Sequence, residues 1–284
     1  MAKMVIEVLY PEYNNLYGDR GNCEYLSKKL KLAGYDVEII ETSLFDKPAF
    51  IDNQVDFLLI GPCQEKHQLV EIQHLKEYAD AIKNRIDNGG VILATGNAFE
   101  LFGQYIENPN GEKTECLGFY PYYAKQFSKL RYNDCSVGEF DGMEIVGFKN
   151  LLSHSYGENA HPFLSMKKGC GMNKDCKVEG VNYNNLFATY HTGPILPLNP
   201  QFTDYLIKTP YNIGCFIPSS GNVAMIIDDV SKEYIRRELT PVDSVNPPMT
   251  DVTNINPDGT IIGRISNNVS SGKKYRIEVF KNGK

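Results

Sequence analysis

Gly89-Gly-Val-Ile-Leu-Ala-Thr-Gly-Asn-Ala-Phe-Glu-Leu-Phe-Gly103 is the stretch whose reading decides the fold. Val91, Ile92, Leu93 and Ala94 form an unbroken apolar run, the pattern of a strand buried on both faces of a parallel sheet. The run halts at Thr95-Gly96-Asn97, and a helical pattern takes over with Phe99, Leu101 and Phe102 on its apolar side. A strand turning sharply into a helix is how α/β enzymes raise a nucleophile beside helix-terminal N–H groups that favour an anion. The apex residue here is Gly96, which has no side chain. Scaffold and chemistry point in different directions.

Upstream of this stretch, strand and helix alternate. Met4–Leu9, Val37–Ile40 and Phe57–Ile60 have strand character. A loop spans Tyr10 to Asn22, after which Leu26, Leu30 and Ala33 share a helical face that Gly34 ends. Leu69, Ile72, Leu75, Ala79, Ile82 and Ile86 keep helical spacing as far as Asn88-Gly89-Gly90. Such alternation gives a parallel sheet covered on both faces, with ligands at the carboxyl ends of its strands. Three loops should meet there: the one after Tyr10, the loop Gly61-Pro-Cys-Gln-Glu-Lys-His67, and the Gly96 turn.

Past Glu107 the segments shorten. Cys116–Ala124, Glu144–Phe148 and Leu186–Tyr190 are β-like, and Asn199-Pro200 is placed to start a short helix running to Ile207. Ala224–Leu239 has the pattern of another helix. From Thr240 the chain is rich in Pro, Asn and Ser, and Thr260–Ile265 with Lys274–Phe280 suggests a β-hairpin. The expected organisation is a main α/β domain over residues 1–239 and an accessory β-rich tail over 240–284. A hairpin alone is marginal, so the tail should lie on the main domain or add to a partner's sheet.

Acidic residues outnumber basic ones by 35 to 29, a net charge of −6 that argues against binding a nucleic-acid backbone without a local basic patch. Lys28, Lys29 and Lys31 form no such patch; they suit a solvated helix face. No apolar run approaches the ~20 residues of a membrane span, and the strand-like Met4–Tyr10 leaves no room for a signal peptide. Seven scattered cysteines (Cys23, Cys63, Cys116, Cys135, Cys170, Cys176 and Cys215), with no Cys-x-x-Cys, suit free thiols in a reducing cytoplasm. Cys170 and Cys176 with His154 and His161 match no common zinc-ligand spacing. Neither a metal nor a cofactor is expected.

Four blocks occur in order along the chain: Leu9-Tyr-Pro with Asn15-Leu-Tyr-Gly-Asp-Arg-Gly-Asn22, Asp56-Phe-Leu-Leu-Ile-Gly61, Gly96-Asn-Ala-Phe-Glu-Leu-Phe-Gly103 and Tyr190-His-Thr-Gly-Pro-Ile-Leu-Pro-Leu-Asn-Pro200. Over about residues 4–207 they resemble the cobyric-acid-synthase-type class I glutamine amidotransferases. The branch they resemble holds the amidotransferase subunits of lipid II isoglutaminyl synthases, which supply ammonia to a Mur-ligase-like partner for peptidoglycan amidation. The resemblance implies a flavodoxin-like class I amidotransferase sandwich with a mostly parallel central sheet, extended by the C-terminal hairpin. It also implies a cytoplasmic protein with a Mur-ligase-like synthetase as partner.

The chemical positions of that family are not kept. Its elbow reads Cys-Gly-Gly-Tyr-Gln-Leu-Leu-Gly, and alignment on Gly103 sets the cysteine on Gly96. The thiolate that attacks the glutamine carbonyl is therefore missing. Asn97 still offers a backbone N–H to an oxyanion, but the second oxyanion loop reads Gly61-Pro62-Cys63-Gln64, and Pro62 has no N–H. The family's Tyr-Leu-His-Gly-Pro falls on Tyr190-His191-Thr192-Gly193-Pro194, so Thr192 holds the base position. In an extended segment a one-residue shift turns His191 to the opposite face. Gly-Phe-Glu-Asn-His appears as Gly147-Phe148-Lys149-Asn150-Leu151.

These replacements imply a structural or regulatory subunit that has lost glutamine hydrolysis. The alternatives are an active amidotransferase rebuilt on Cys63 and His191, and a module that binds glutamine or a small anion. Gly61, Gln64, Gly96, Asn97 and Arg131 are the expected ligand-binding residues, Arg131 by its match to an arginine that holds the substrate carboxylate. Asp19 and Arg20 are the expected pocket- or partner-facing pair of the first loop.

Overall fold

Alternate residues of the central strands serve two different cores. The computed structural model describes residues 3–129 and 131–208, with the strand residues 252–255, 261–267 and 275–279. Strands β1 (Lys3–Leu9), β2 (Asp36–Thr42), β3 (Phe57–Ile60) and β4 (Val91–Thr95) join Leu186–Thr189 and Val181–Tyr183 in one six-stranded sheet. The spatial order is Val181–Tyr183, Leu186–Thr189, β4, β3, β1, β2, parallel throughout except for the antiparallel edge strand Val181–Tyr183. This is the doubly wound, flavodoxin-like arrangement.

In β3, Phe57 and Leu59 point to one side and Leu58 and Ile60 to the other; in β4, Val91 and Leu93 oppose Ile92 and Ala94. Helix α1 (Arg20–Leu32) covers one side with Leu26 and Leu30. Helices α2 (Glu65–Lys76) and α3 (Ala79–Asp87) cover the other with Ile72, Leu75, Ile82 and Ile86. Each of these fully buried aliphatic side chains contributes about 1.5–3 kcal/mol, which is why β3 and β4 have no polar face.

Four expectations are corrected in detail. The first helix starts at Arg20, inside the stretch expected as loop. The helix expected from Leu69 to Ile86 is two helices, because Tyr78 leaves the helical path and sets its ring edge-on to His74 at 5.3 Å. Gly96–Phe102 is a 3-10 helix buried along its whole length, so its apolar pattern has no solvent side to oppose. Residues 116–122 are not strand: the N–H groups of Cys116, Leu117, Gly118, Phe119 and Tyr120 bond to carbonyls of Leu101 to Gln104.

Two four-stranded sheets follow β4. One is ordered Ser153–Tyr156, Tyr123–Gln126, Tyr105–Glu107, Lys113–Glu115, and the other Val178–Glu179, Leu164–Lys168, Tyr132–Phe140, Met143–Leu151. A helix at Pro200–Lys208 buries Phe202 and Leu206. The chain forms two contact units, Met1–Ile213 and Gly214–Lys284. In the second, Ile261–Asn267 pairs antiparallel with Tyr275–Val279, as in the hairpin, and Val252–Ile255 adds a third strand. The helix expected at Ala224–Leu239 lies outside the described residues. No helix among the described residues is long and apolar enough to cross a membrane.

Candidate functional site

Gly96 ends β4 with φ +59°, in the left-handed region. A Cβ at this position would stand 2.5 Å from Pro62 Cβ and 3.0 Å from Thr192 Cγ2. The space a side chain would need is already filled. A 220 Å³ cavity lies beside the turn, bounded by Pro62, Cys63, Gln64 and Asn97 on one side and by Tyr17, Arg131, Asn150, Ser153 and Thr192 on the other.

Thr192 is fixed by the neighbouring motif. Its N–H donates to Phe148 O at 2.8 Å, Phe148 N–H donates to Thr192 O at 3.1 Å, and its hydroxyl donates to the same Phe148 carbonyl at 2.8 Å. That hydroxyl is occupied as a donor and has no basicity to offer. Alternation along the extended chain turns His191 away from the cavity. Its ring is fully buried, with Nε2 2.7 Å from Ser136 Oγ, and lies so close over Gly147 that no side chain fits there. Burial, then the nearby Lys149 ammonium, pushes its pKa well below the ordinary histidine value. Lys149 itself is fully buried and donates to Cys170 O at 2.7 Å and Gly171 O at 3.1 Å.

Cys63 reaches the cavity wall, but its thiol is buried near the Glu71 carboxyl. Burial and that carboxyl both push the thiol pKa far up, the opposite of what a nucleophile requires. Asn97 clamps the same loop: Cys63 N–H donates to Asn97 Oδ1 and Asn97 Nδ2 donates to Cys63 O, both at 3.0 Å. Beneath them Gln68 Nε2 donates to Asn97 O at 2.8 Å and to Glu100 Oε2 at 2.9 Å. Glu100 also accepts from Ser153 Oγ and, at 2.9 Å, from Tyr190 OH. Burial raises the Glu100 pKa, and these donors oppose the rise.

The arginine immediately precedes the strand Tyr132–Phe140. Arg131 Nη1 donates to Asn150 Oδ1 at 2.8 Å and to Tyr17 OH at 3.3 Å, while Tyr17 OH donates to Asn150 O at 3.2 Å. Tyr17 holds φ +60°, uncommon for an aromatic residue. Among the described residues no carboxylate pairs with Arg131, so an exposed guanidinium stands at the cavity with its charge uncompensated.

Of the residues singled out from the sequence, Gln64, Gly96, Asn97, Arg131, Cys63 and Thr192 share this cavity. Gly61, His191, Asp19 and Arg20 do not line it. Gly61 lies against Asn14 O and Asp19 Oδ2, where an added Cβ would collide. Asp19 is buried: its Oδ1 accepts from Thr95 Oγ1 at 2.6 Å and from Asn22 Nδ2 at 2.9 Å. Burial pushes its pKa up to about 7 against those two hydrogen bonds. Arg20 is exposed and pairs with Glu24 and Glu41. Tyr17 and Asn150, which orient Arg131, were in blocks quoted from the sequence but carried no signal of this role.

The two most distinctive blocks meet in space. Asn22 Oδ1 accepts from Leu196 N–H at 2.8 Å, and Gly21 is so close to Pro194 that a Cβ would stand 2.7 Å from Pro194 Cγ.

The sequence profile of the CobB/CobQ-like glutamine amidotransferase domain matches residues 5–200. The chain is 31% identical over 233 residues to the lipid II isoglutaminyl synthase (glutamine-hydrolyzing) subunit GatD of Streptococcus pneumoniae (strain ATCC BAA-255 / R6), covering 80% of this chain and 88% of that protein. It is 29% identical over 211 residues to the subunit of the same name from Staphylococcus aureus (strain N315), covering 73% of this chain and 84% of that one. A glutamine amidotransferase crystal structure superposes with a TM-score of 0.46 at 12% identity, over 72% of this chain and 98% of that one.

Proposed function

We propose that this chain, which belongs to the CobB/CobQ-like glutamine amidotransferase family, serves an amidating synthetase as its amidotransferase-type subunit without hydrolysing glutamine. The GatD relatives support the assembly: their names place them in lipid II isoglutaminyl synthases. By that likeness the partner is a Mur-ligase-like synthetase and the setting is cytoplasmic peptidoglycan amidation.

The observation that carries the loss of hydrolysis is the packing at Gly96. The nucleophile position has no side chain, and Pro62 and Thr192 fill the room for one. The fallback pair does not repair this. Burial and the nearby Glu71 carboxyl hold the Cys63 thiol protonated, and His191 Nε2 pairs with Ser136 on the far side of the segment. Purified protein, alone and with its synthetase, should release no ammonia from glutamine, while the complex should amidate its acceptor from added ammonium salt. Steady glutamine turnover that Cys63→Ala abolishes would overturn the reading.

A second reading concerns what the cavity holds. An unpaired Arg131 beside 220 Å³ of space favours a small carboxylate such as glutamine or glutamate, with Gln64, Gly96 and Asn97 as further contacts. Gly61 is not part of it. Calorimetric titration with glutamine, glutamate and phosphate checks this; saturable heat that Arg131→Ala removes is expected, and none with any of the three rejects it.

A further inference from the structure

The strands Tyr132–Phe140 and Met143–Leu151 pair in continuous antiparallel register, so alternate residues of both share a face. One face is buried and holds Ser136, Gly138, Ile145 and Lys149. The other sets Asn133, Cys135, Val137 and Glu139 opposite Asn150, Phe148, Val146 and Glu144, all exposed or half-buried.

Apolar side chains fill the middle of that face. Val146 is 37% exposed, and Leu198 at 45% and Tyr17 at 36% flank Phe148. Tyr17 sets its ring edge-on to Phe148 at 6.3 Å. Phe148 Cβ and Leu198 Cδ1 lie 3.5 and 3.6 Å from the point a Cβ on Gly193 would occupy. Three of the seven exposed large apolar side chains among the described residues thus gather around Phe148, and a contiguous patch of this kind marks an interaction surface. Its partner does not extend the sheet here. Phe148 N–H and O are bonded to Thr192, and Val146 N–H and O to the side-chain amide of Asn199. The strand edge is closed, and side chains are what the face presents.

The two ends of the face differ in charge. Lys129 and Arg131, both exposed, stand at the end marked by Asn133 and Asn150, and no carboxylate among the described residues pairs with Arg131. About 20 Å away along the strands, Glu139 and Glu144 share a single cation, Lys167 Nζ, at 2.7 and 3.3 Å. The exposed Asp141 sits at the hairpin turn beside them. A face that is basic at one end, apolar in the middle and acidic at the other complements its own copy turned end for end. A two-fold axis lying across the strands produces that arrangement.

We propose that a second copy of this chain docks on this face, with Arg131 of each protomer pairing with Glu144 of the partner subunit across the patch around Phe148. Arg131, Asn150 and Tyr17 also line the cavity beside Gly96. The second copy therefore brings a carboxylate to the guanidinium at the mouth of that cavity, and dimer formation and a small carboxylate compete for it. The inference does not depend on whether glutamine is hydrolysed.

Sedimentation velocity of the full chain from about 1 µM to 1 mM tests it. Two nine-residue strands offer a face of about 30 by 10 Å, small beside the ~800 Å² per partner of a standard interface. A reversible dimer with a Kd of about 10–100 µM is expected. Val146→Lys, in the middle of the patch, should weaken it by about tenfold or more. Arg131→Glu and Glu144→Arg each place two like-charge contacts in the dimer and should each weaken it by about tenfold. Mixed in equal amounts, these two variants should associate about as well as the wild type, because each mixed dimer regains both opposite-charge pairs. Melting curves establish that each variant is folded. The proposal falls if the wild-type chain stays monomeric to the highest concentration, or if a folded Val146→Lys dimerises like the wild type. It falls equally if the two charge variants together associate no better than either alone.

Discussion

Pro62 Cβ lies 2.5 Å from the point a Cβ on Gly96 would occupy. Proline also leaves its loop position without an N–H. If Gly96 holds the nucleophile position, as we propose, one ring takes the room for that nucleophile and a donor for the oxyanion it would create. The two positions form one packed contact, and a change at either is felt at the other.

Gly96→Cys should therefore yield a less stable protein with no glutaminase activity. Overpacking against Pro62 and a non-glycine residue at φ +59° together cost about 2–5 kcal/mol. Adding Pro62→Gly should recover part of the loss. Chemical denaturation and a coupled ammonia assay follow both quantities; a fully stable single variant would refute the packing account.

Thr95→Val keeps the volume of the strand-end residue but withdraws the 2.6 Å hydrogen bond from Asp19. The buried carboxyl is left with Asn22 alone, and a loss of about 1–3 kcal/mol follows. An unchanged urea midpoint would mean that the loop after β1 is not held by this bond.

Asp19 and Glu71 are both pushed up to about 7 by burial, and Glu100 is raised as well. The folded state binds these protons more tightly than the unfolded chain, whose carboxyls titrate near about 4. Their contribution to stability is complete below that value and is lost as the pH rises through about 7. His191 and His154 act oppositely, held below the ordinary value by burial first. The stability of keeping them neutral is present above about 6.5 and is lost as the pH falls toward their depressed values. Raising the pH from 6.5 to 8.5 should thus lower the melting temperature by several degrees, roughly 2–4 °C for each kcal/mol. Asp19→Asn should flatten that slope; a melting temperature that climbs across the range contradicts the burial of these carboxyls.

Arg131→Ala removes an exposed guanidinium bound to Asn150 and Tyr17. Stability should stay within about 0.5–1 kcal/mol, while any carboxylate affinity of the cavity beside Gly96 disappears. Parallel melting and titration separate the two; a large loss of stability would make Arg131 a structural residue.

The central strands were legible because burial on two faces leaves no alternation to interpret, only continuous apolar runs such as Phe57–Ile60. The opposed directions of Thr192 and His191 followed from the period of an extended chain. The 3-10 character of Gly96–Phe102 was not legible, since spacing alone does not distinguish an amphipathic helix from a segment enclosed on every side. Nor was Glu7, a charge in mid-strand that accepts from Thr42 Oγ1 at 2.6 Å and from the N–H groups of Ala49 and Phe50 at 2.6 and 2.8 Å. Its partners lie 35 or more residues away. The same distance problem hid the supports of Arg131: Tyr17 is 114 residues off along the chain.

The contact of Gly21 with Pro194, and of Asn22 with Leu196, bears on how kinship is detected. Residues that knit distant loops together are under constraint for as long as the protein must hold its shape, whatever it does with a substrate. A search that succeeds on such residues certifies ancestry and architecture. It is silent on occupation.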